Sequence, residues 1–307
     1  MRRHIRHARA RERGIAFLLV LWVVAMLSIL LGSFAMIART ENLQARHLFD
    51  TTQARYAAEA GLNLAVYELR KNDPLQRWIG DGRPYVFAYG DAEIEVRIHD
   101  DSGKIDLNAI SNGDPQMLVR LFTSHGVALE QAQALADAVA DWVDPDDDTR
   151  LNGAEIAQYK AAGLSYGPRN APFDTISELQ QVLGMNYALY TKLEPALTIY
   201  SGRTAPEIGF ANYDAILAQD GMTPDCARQI VEAQQAMQPG DVGSPQTICD
   251  VTLSGVASGG GLTYSVESRA KLPNGASTTL DATIRMGGIN PAGRPYVILR
   301  WRDGETS

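Results

Sequence analysis

The side chains best suited to chemistry in this chain lie in one acidic run, Asp144-Pro145-Asp146-Asp147-Asp148, followed by Asn152-Gly153-Ala154-Glu155. Counted from Asp144, positions 1, 3, 5 and 12 of a twelve-residue calcium loop fall on Asp144, Asp146, Asp148 and Glu155, with Asp147 among them. Carboxylate oxygens are hard ligands, and Ca²⁺ takes six to eight oxygens at about 2.3–2.6 Å. Several mutually repelling acids in one short loop need such a cation to hold them together. The loop departs from the EF-hand pattern at position 6, where the sharp turn calls for glycine and this chain has Thr149. A regular EF-hand turn is therefore not expected. Asp141 and Asn170 are further candidates for the shell, and the competing reading is a solvated acidic turn.

Other chemistry finds little support. The five histidines (His4, His7, His47, His99 and His125) are scattered, and the P-loop signature is absent. Gly259-Gly260-Gly261 falls between strand patterns and reads as a bend rather than a phosphate cradle. No pair among the 36 acids is singled out as a glycosidase-like dyad. An enzyme is not expected. The formal net charge of −8 argues against nucleic acid, whose phosphates need a basic surface. Cys226 and Cys249 form no C-x-x-C pair and have no histidine beside them, which disfavours redox catalysis and zinc. A bridge between them would close a loop of about 24 residues, worth roughly 3 kcal/mol in the chain-entropy model. Two buried free thiols are the alternative.

The elements that must position the acidic loop begin far upstream. Six arginines in residues 1–13 run into the uncharged segment 15–38, which exceeds the roughly 20 apolar residues that span a bilayer. The positive-inside bias places the N-terminus in the cytoplasm and the remainder across the membrane, where a disulfide is favoured. Residues 15–69 contain no proline, and their apolar spacing predicts one helix of about 55 residues, on the order of 80 Å long. Lys71-Asn72-Asp73-Pro74 ends it.

Residues 93–98 alternate with period two, and Asp101-Ser102-Gly103 is read as a turn into a hairpin partner at 104–108. Short helices are predicted over 115–125, 129–142, 153–162, 176–183, 187–196 and 226–237. Strands return at 263–269, 278–286 and 296–301, the first two joined through the turn-forming Asn274-Gly275. Strands, then helices, then strands predict an α+β fold in which a helical insert interrupts an antiparallel sheet. Residues 173–200 and 213–237 are weakly alike, each with a Gly-Met turn (Gly184-Met185, Gly221-Met222) between helices, as in helix-hairpin-helix units. Asp220 and Asp225 beside the second turn disfavour phosphate contact.

Arg13-Gly14 followed at once by an apolar helix resembles a prepilin leader, which a dedicated membrane peptidase cuts after the glycine to leave Ile15 as the N-terminus. The run RGIAFLLVLWVVAMLSILLGSFA resembles the start of the minor pseudopilin K family of type II secretion, including Leu21-Trp22-Val23. The stretch 55–61 (RYAAEAG), SGK-I-x-LN at 102–108 and DWVDPDDD…NGAE resemble further family segments, the last its calcium loop. Pilin-like subunits generally carry glutamate at the fifth mature position, where this chain has Leu19. That departure fits the K subunit and implies a filament tip, where no neighbouring N-terminal amine lies in the apolar core to be neutralised.

The resemblance implies a leader at 1–14 and an N-terminal helix at 15–70. A pilin-like domain at 71–112 and 249–307 would then be interrupted by a helical insert with the calcium loop at 113–248. It also implies prepilin methylation, minor pseudopilins I and J, the inner-membrane assembly platform and prepilin peptidase as partners, and a single-pass inner-membrane protein with a large periplasmic domain. Its expected function is support of protein export across the outer membrane from the tip of the pseudopilus. The alternative is a membrane-anchored calcium-binding adhesion or sensor domain. Such a domain would need no processing at Gly14.

Overall fold

The computed structural model describes residues 13–110, 116–238, 246–253, 260–287, 293 and 295–304; the expected leader lies outside them apart from its last two residues. The chain divides into two units, Met1–Gln53 and Ala54–Ser307. In the first, helix α1 (Arg13–Leu69) contains an 18-residue window of mean hydropathy 2.6, so it is long and apolar enough to cross a membrane. In the apolar stretch Ser28 and Ser33 donate to the carbonyls of Val24 and Ile29, four residues back, as Thr40 just beyond it does to Met36. An apolar medium supplies no other partner.

In the second unit, the rest of α1 buries Ala54, Ala57, Ala58, Leu62, Ala65, Val66 and Leu69, a stripe at three- and four-residue spacing. The stripe packs on a five-stranded antiparallel sheet ordered β1-β2-β7-β8-β9, made of β1 (Asp81–Tyr89), β2 (Ala92–Asp100), β7 (Thr263–Lys271), β8 (Ser277–Met286) and β9 (Tyr296–Asp303). Strand β2 alternates as its sequence does, burying Ile94, Val96 and Ile98. Gly61 is the point of closest approach. A Cβ there would strike the Ser268 hydroxyl and lie 2.9 Å from the Ile94 side chain. The β7–β8 hairpin turns through Asn274-Gly275, with Gly275 at φ +92°.

Between β2 and β7 lies a second core, built on α2 (Gln116–Ser124), α3 (Leu129–Val143), α4 (Ile156–Ala161), α5 (Tyr187–Leu193), α6 (Tyr213–Leu217) and α7 (Pro224–Ala236). Short strands β3 (Ile105–Asp106) and β4 (Leu197–Thr198) pair in parallel, and β5 (Gln246–Ile248) and β6 (Val251–Leu253) form a hairpin. Cys226 on α7 is bonded to Cys249 in the turn of that hairpin. Residues 176–181 are 3₁₀ rather than α-helix. Both Gly-Met turns place their glycine at positive φ, Gly184 at +92° and Gly221 at +71°.

Three sequence expectations need correction. Residues 104–108 are not the hairpin partner of β2, which pairs instead with β1 and β7. Asp101–Gly103 forms a 3₁₀ turn that sends the chain into the insert, where Ile105 meets Leu197. The insert is also longer than 113–248, because Ile105, Leu107 and Leu253 share its core. Finally, β1 had not been expected, and it pairs with β2 through a two-residue turn at Gly90-Asp91.

Candidate metal centre

The acidic loop connects α3 to α4. Asp141 lies in the last turn of α3, Asp144 caps its C-terminus, and Glu155 is the N-cap of α4. One oxygen from each lies within 4.8 Å of the others. The spacing is helical at one end: Asp141 and Asp144 are three residues apart and share a face. Behind them Trp142 stacks on Phe173 with ring centroids 6.0 Å apart, and the Tyr159 hydroxyl accepts the Leu183 N–H at 3.0 Å. The floor of the site is thus part of the insert's apolar core.

Asp141 is fully buried, and its Oδ2 accepts the backbone N–H groups of Ala154 at 2.8 Å and Arg150 at 3.3 Å. Gly153 permits this closeness, since a Cβ there would overlap that oxygen and lie 2.8 Å from Cγ. Asp137 ties the loop to α3 by accepting the N–H of Asn152 at 3.1 Å and its side-chain amide at 3.2 Å. The Arg150 guanidinium donates to Asp141 Oδ1 at 2.7 Å and to Asp144 Oδ2.

Glu155 has a different environment. It is 3% exposed and heads a capping box with Gln158, yet among the described residues neither of its carboxylate oxygens has a hydrogen-bond partner of ordinary geometry. Its pKa is pushed up to about 7, first by burial and then by the charges of Asp141, Asp144, Asp147 and Asp146. Asp144 Oδ1 and Asn170 Oδ1 are likewise buried without a donor. Buried acceptors of this kind are costly unless something pairs with them. Four donor-less oxygens, two on Glu155 and one each on Asp144 and Asn170, fit the all-oxygen shell of a hard divalent cation.

The arrangement differs from the twelve-residue spacing. Asp144 and Glu155 come together, and the third member is Asp141 rather than Asp146 or Asp148. Asp146, Asp147 and Asp148 are exposed. Asp146 spends its side chain on the N–H of Asp148 at 3.0 Å, while Asp147 Oδ1 accepts from Asn170 Nδ2 at 3.0 Å. The first is a local turn contact of the kind that short acidic side chains make, and the second ties the loop to the segment before residue 173. Asp137 and Arg150 were not singled out in the sequence, although carboxylates at 137, 141 and 144 do trace one helical face.

The segment that holds this site lies within a stretch that matches a known family. Residues 103–202 match the family model for Type II secretion system (T2SS), protein K. Over this stretch the chain is similar to the type II secretion system protein K family. The chain is 32% identical over 213 residues to a type II secretion system protein K of Klebsiella pneumoniae, covering 63% of this chain and 64% of that protein. Against the K protein of Pseudomonas aeruginosa the identity is 26% over 246 residues, covering 74% and 73%. The chain thus spans somewhat under two thirds of the length of the Klebsiella relative. The fold is similar to a chain in the crystal structure of the GspK-GspI-GspJ complex from the enterotoxigenic Escherichia coli Type 2 Secretion System. That match has a TM-score of 0.55 at 19% identity and covers 87% of this chain and 99% of the other. The matched segment begins at Gly103, at the end of the turn that follows β2, so the match and the helical insert start together.

Proposed function

We propose that this protein is a minor pseudopilin of a type II secretion system, placed at the tip of the periplasmic pseudopilus, where it supports export of folded proteins across the outer membrane. The observation that carries the reading is the K-family segment, set as a helical insert within an antiparallel sheet whose covering helix continues into an apolar run. Function on this reading is mechanical. The apolar half of α1 anchors the subunit in the inner membrane, and the head supplies bulk that a repeating shaft would not accommodate. Minor pseudopilins I and J are the proposed neighbours, in keeping with the complex that contains the structural relative. The assembly platform and prepilin peptidase are the proposed membrane partners, with cleavage between Gly14 and Ile15.

The proposed metal is calcium, held by Asp141, Asp144 and Glu155 with Asn170 at the edge. When bound it would supply charge neutralisation and no reaction. N-terminal sequencing of the membrane-extracted protein, paired with a secretion assay on a deletion strain, tests the main reading. Ile15 at the N-terminus and loss of secretion restored by the gene are expected. Met1 retained in cells with an active peptidase, with secretion intact, would favour an anchored calcium-binding adhesion or sensor domain instead.

A further inference from the structure

Arg150 occupies the position among the carboxylates that a cation would need. Its guanidinium bridges Asp141 and Asp144, and its side chain is 37% exposed, so it has a direct way out to solvent. It neutralises only part of the site. Glu155, nine-tenths buried and within the same 4.8 Å cluster, keeps both oxygens without a donor. A fork of N–H donors can bridge two carboxylates, whereas a divalent cation can draw in all three. The charges differ as well, one positive against three acids for the arginine and two for the metal.

We propose that Arg150 is a built-in counter-cation: it holds the α3–α4 loop closed in the metal-free protein and is displaced when calcium binds, so that it sets the calcium concentration at which the site fills. The proposal rests on the calcium reading above. Two cations cannot share the Asp141–Asp144 pair at contact distance without strong repulsion. Calcium must therefore compete with the guanidinium, and the apparent affinity falls by the fraction of molecules in which the arginine has swung out. The backbone contacts that shape the loop need not change in the exchange. Ala154 and Arg150 still donate their N–H groups to Asp141, and Asn152 still binds Asp137. Arg150 thus acts on calcium as a competitor and on the metal-free fold as a support. An ordinary structural ion pair would do only the second.

The test uses the detergent-solubilised full chain, with calcium affinity measured by titration calorimetry and melting temperature measured in chelator and in saturating calcium. Arg150→Gln is expected to tighten calcium binding on the order of tenfold, the removal of a competitor bound in about nine molecules of ten. It should also lower the melting temperature in chelator and leave it unchanged in calcium. Arg150→Lys, which keeps the charge on a shorter, more strongly hydrated side chain without the planar fork, should bind with intermediate affinity; it serves as the second variant if Arg150→Gln unfolds without metal. Calcium binding that is unchanged or weaker in both variants overturns the proposal and leaves the calcium site standing. Wild type and variants that all ignore calcium, while the glutamine variant melts lower in chelator, overturn the calcium reading and the proposal with it, leaving Arg150 as a permanent ion-pair partner.

Discussion

Two clusters of buried acids in this protein meet the same physical demand in opposite ways. At the junction where the chain leaves the sheet, Asp101 is 1% exposed and fully paired. Its Oδ1 lies 2.9 Å from Lys104 Nζ and accepts the Ser265 hydroxyl at 2.7 Å, and its Oδ2 accepts the Thr198 hydroxyl at 2.7 Å. Those partners come from β7, β4 and the segment that follows the turn, so one carboxylate ties sheet to insert. In the α3–α4 loop, Glu155 is as buried and has no donor. In the first cluster Asp101 has its own permanent cation, although its neighbour Asp100 keeps one buried oxygen without a donor; in the second an arginine reaches two acids of three, and the third has a donor on neither oxygen. Buried charge left incomplete in this way marks a place for a ligand.

The sharpest way to break the comparison is to remove Asp101. Asp101→Ala leaves the Lys104 ammonium buried without its carboxylate and should cost about 3–5 kcal/mol of stability. Because the pairing is permanent, the loss should be the same in calcium and in chelator. Denaturant unfolding under both conditions checks this; a loss that calcium restores would show that the two clusters are not independent.

Glu155→Gln should behave in the opposite way. In chelator the substitution removes a carboxylate whose folded pKa is raised, so the metal-free protein should become more stable at neutral pH. In calcium it should forfeit most of the stabilisation that the ion provides, about 2.7 kcal/mol at a hundredfold excess over Kd. The readout is the gap in melting temperature between calcium and chelator. A gap as wide in the variant as in wild type would place Glu155 outside the metal shell.

Each cluster also has a glycine pressed against a carboxylate, which gives a matched pair of smaller perturbations. A Cβ on Gly153 would overlap Asp141 Oδ2, and a Cβ on Gly260 would overlap Asp100 Oδ2. Gly153→Ala and Gly260→Ala should each cost about 1–3 kcal/mol through overpacking. Only the first should also weaken calcium binding, because it moves a ligand. Equal calcium affinity in both variants would separate Asp141 from the metal.

How far these features could be read beforehand depends on whether the signal was local. The long helix declared itself by the absence of proline and the apolar spacing, and β2 by strict alternation. Asn274-Gly275 marked its hairpin. The acidic loop was legible as chemistry, but the twelve-residue count drew attention to Asp146, which spends its carboxylate on a local turn, and to Asp148, which is exposed. Asp141 was only a secondary candidate there, although its i, i+3 relation to Asp144 on α3 was available. Arg150 carried no signal, since its role depends on the loop folding back across α3. Strand β1 was hidden by Gly82 and Pro84 near its start, where its pairing with β2 is irregular. The parallel β3–β4 pair is two residues long, too short for any period, and joins positions more than ninety residues apart.

The finest distinction between the clusters lies in pH. At the junction, burial raises the Asp100 pKa to about 6 from 3.8, and burial with the nearby Lys104 lowers that of His99 to about 4 from 6.5. Asp100 binds its proton more tightly when folded, so its contribution to stability is complete below about pH 3.8 and is lost as pH rises towards 6. His99 binds its proton more weakly when folded, so its contribution is complete above about pH 6.5 and is lost as pH falls towards 4. The two slopes oppose each other across pH 4–6, and the junction's share of stability should be nearly flat there. Asp100→Asn removes one of them. Stability of that variant should then rise with pH relative to wild type, by at most about 1.4 kcal/mol per unit. The loop has no such compensation: Glu155 alone makes the metal-free protein lose stability from about pH 4.5 to 7, while calcium, which needs the carboxylate ionised, binds more weakly as pH falls below 7. Unfolding measured from pH 4 to 8 with and without calcium should give two curves that diverge upward with pH. Curves that stay parallel would mean that Glu155 takes no part in holding the ion.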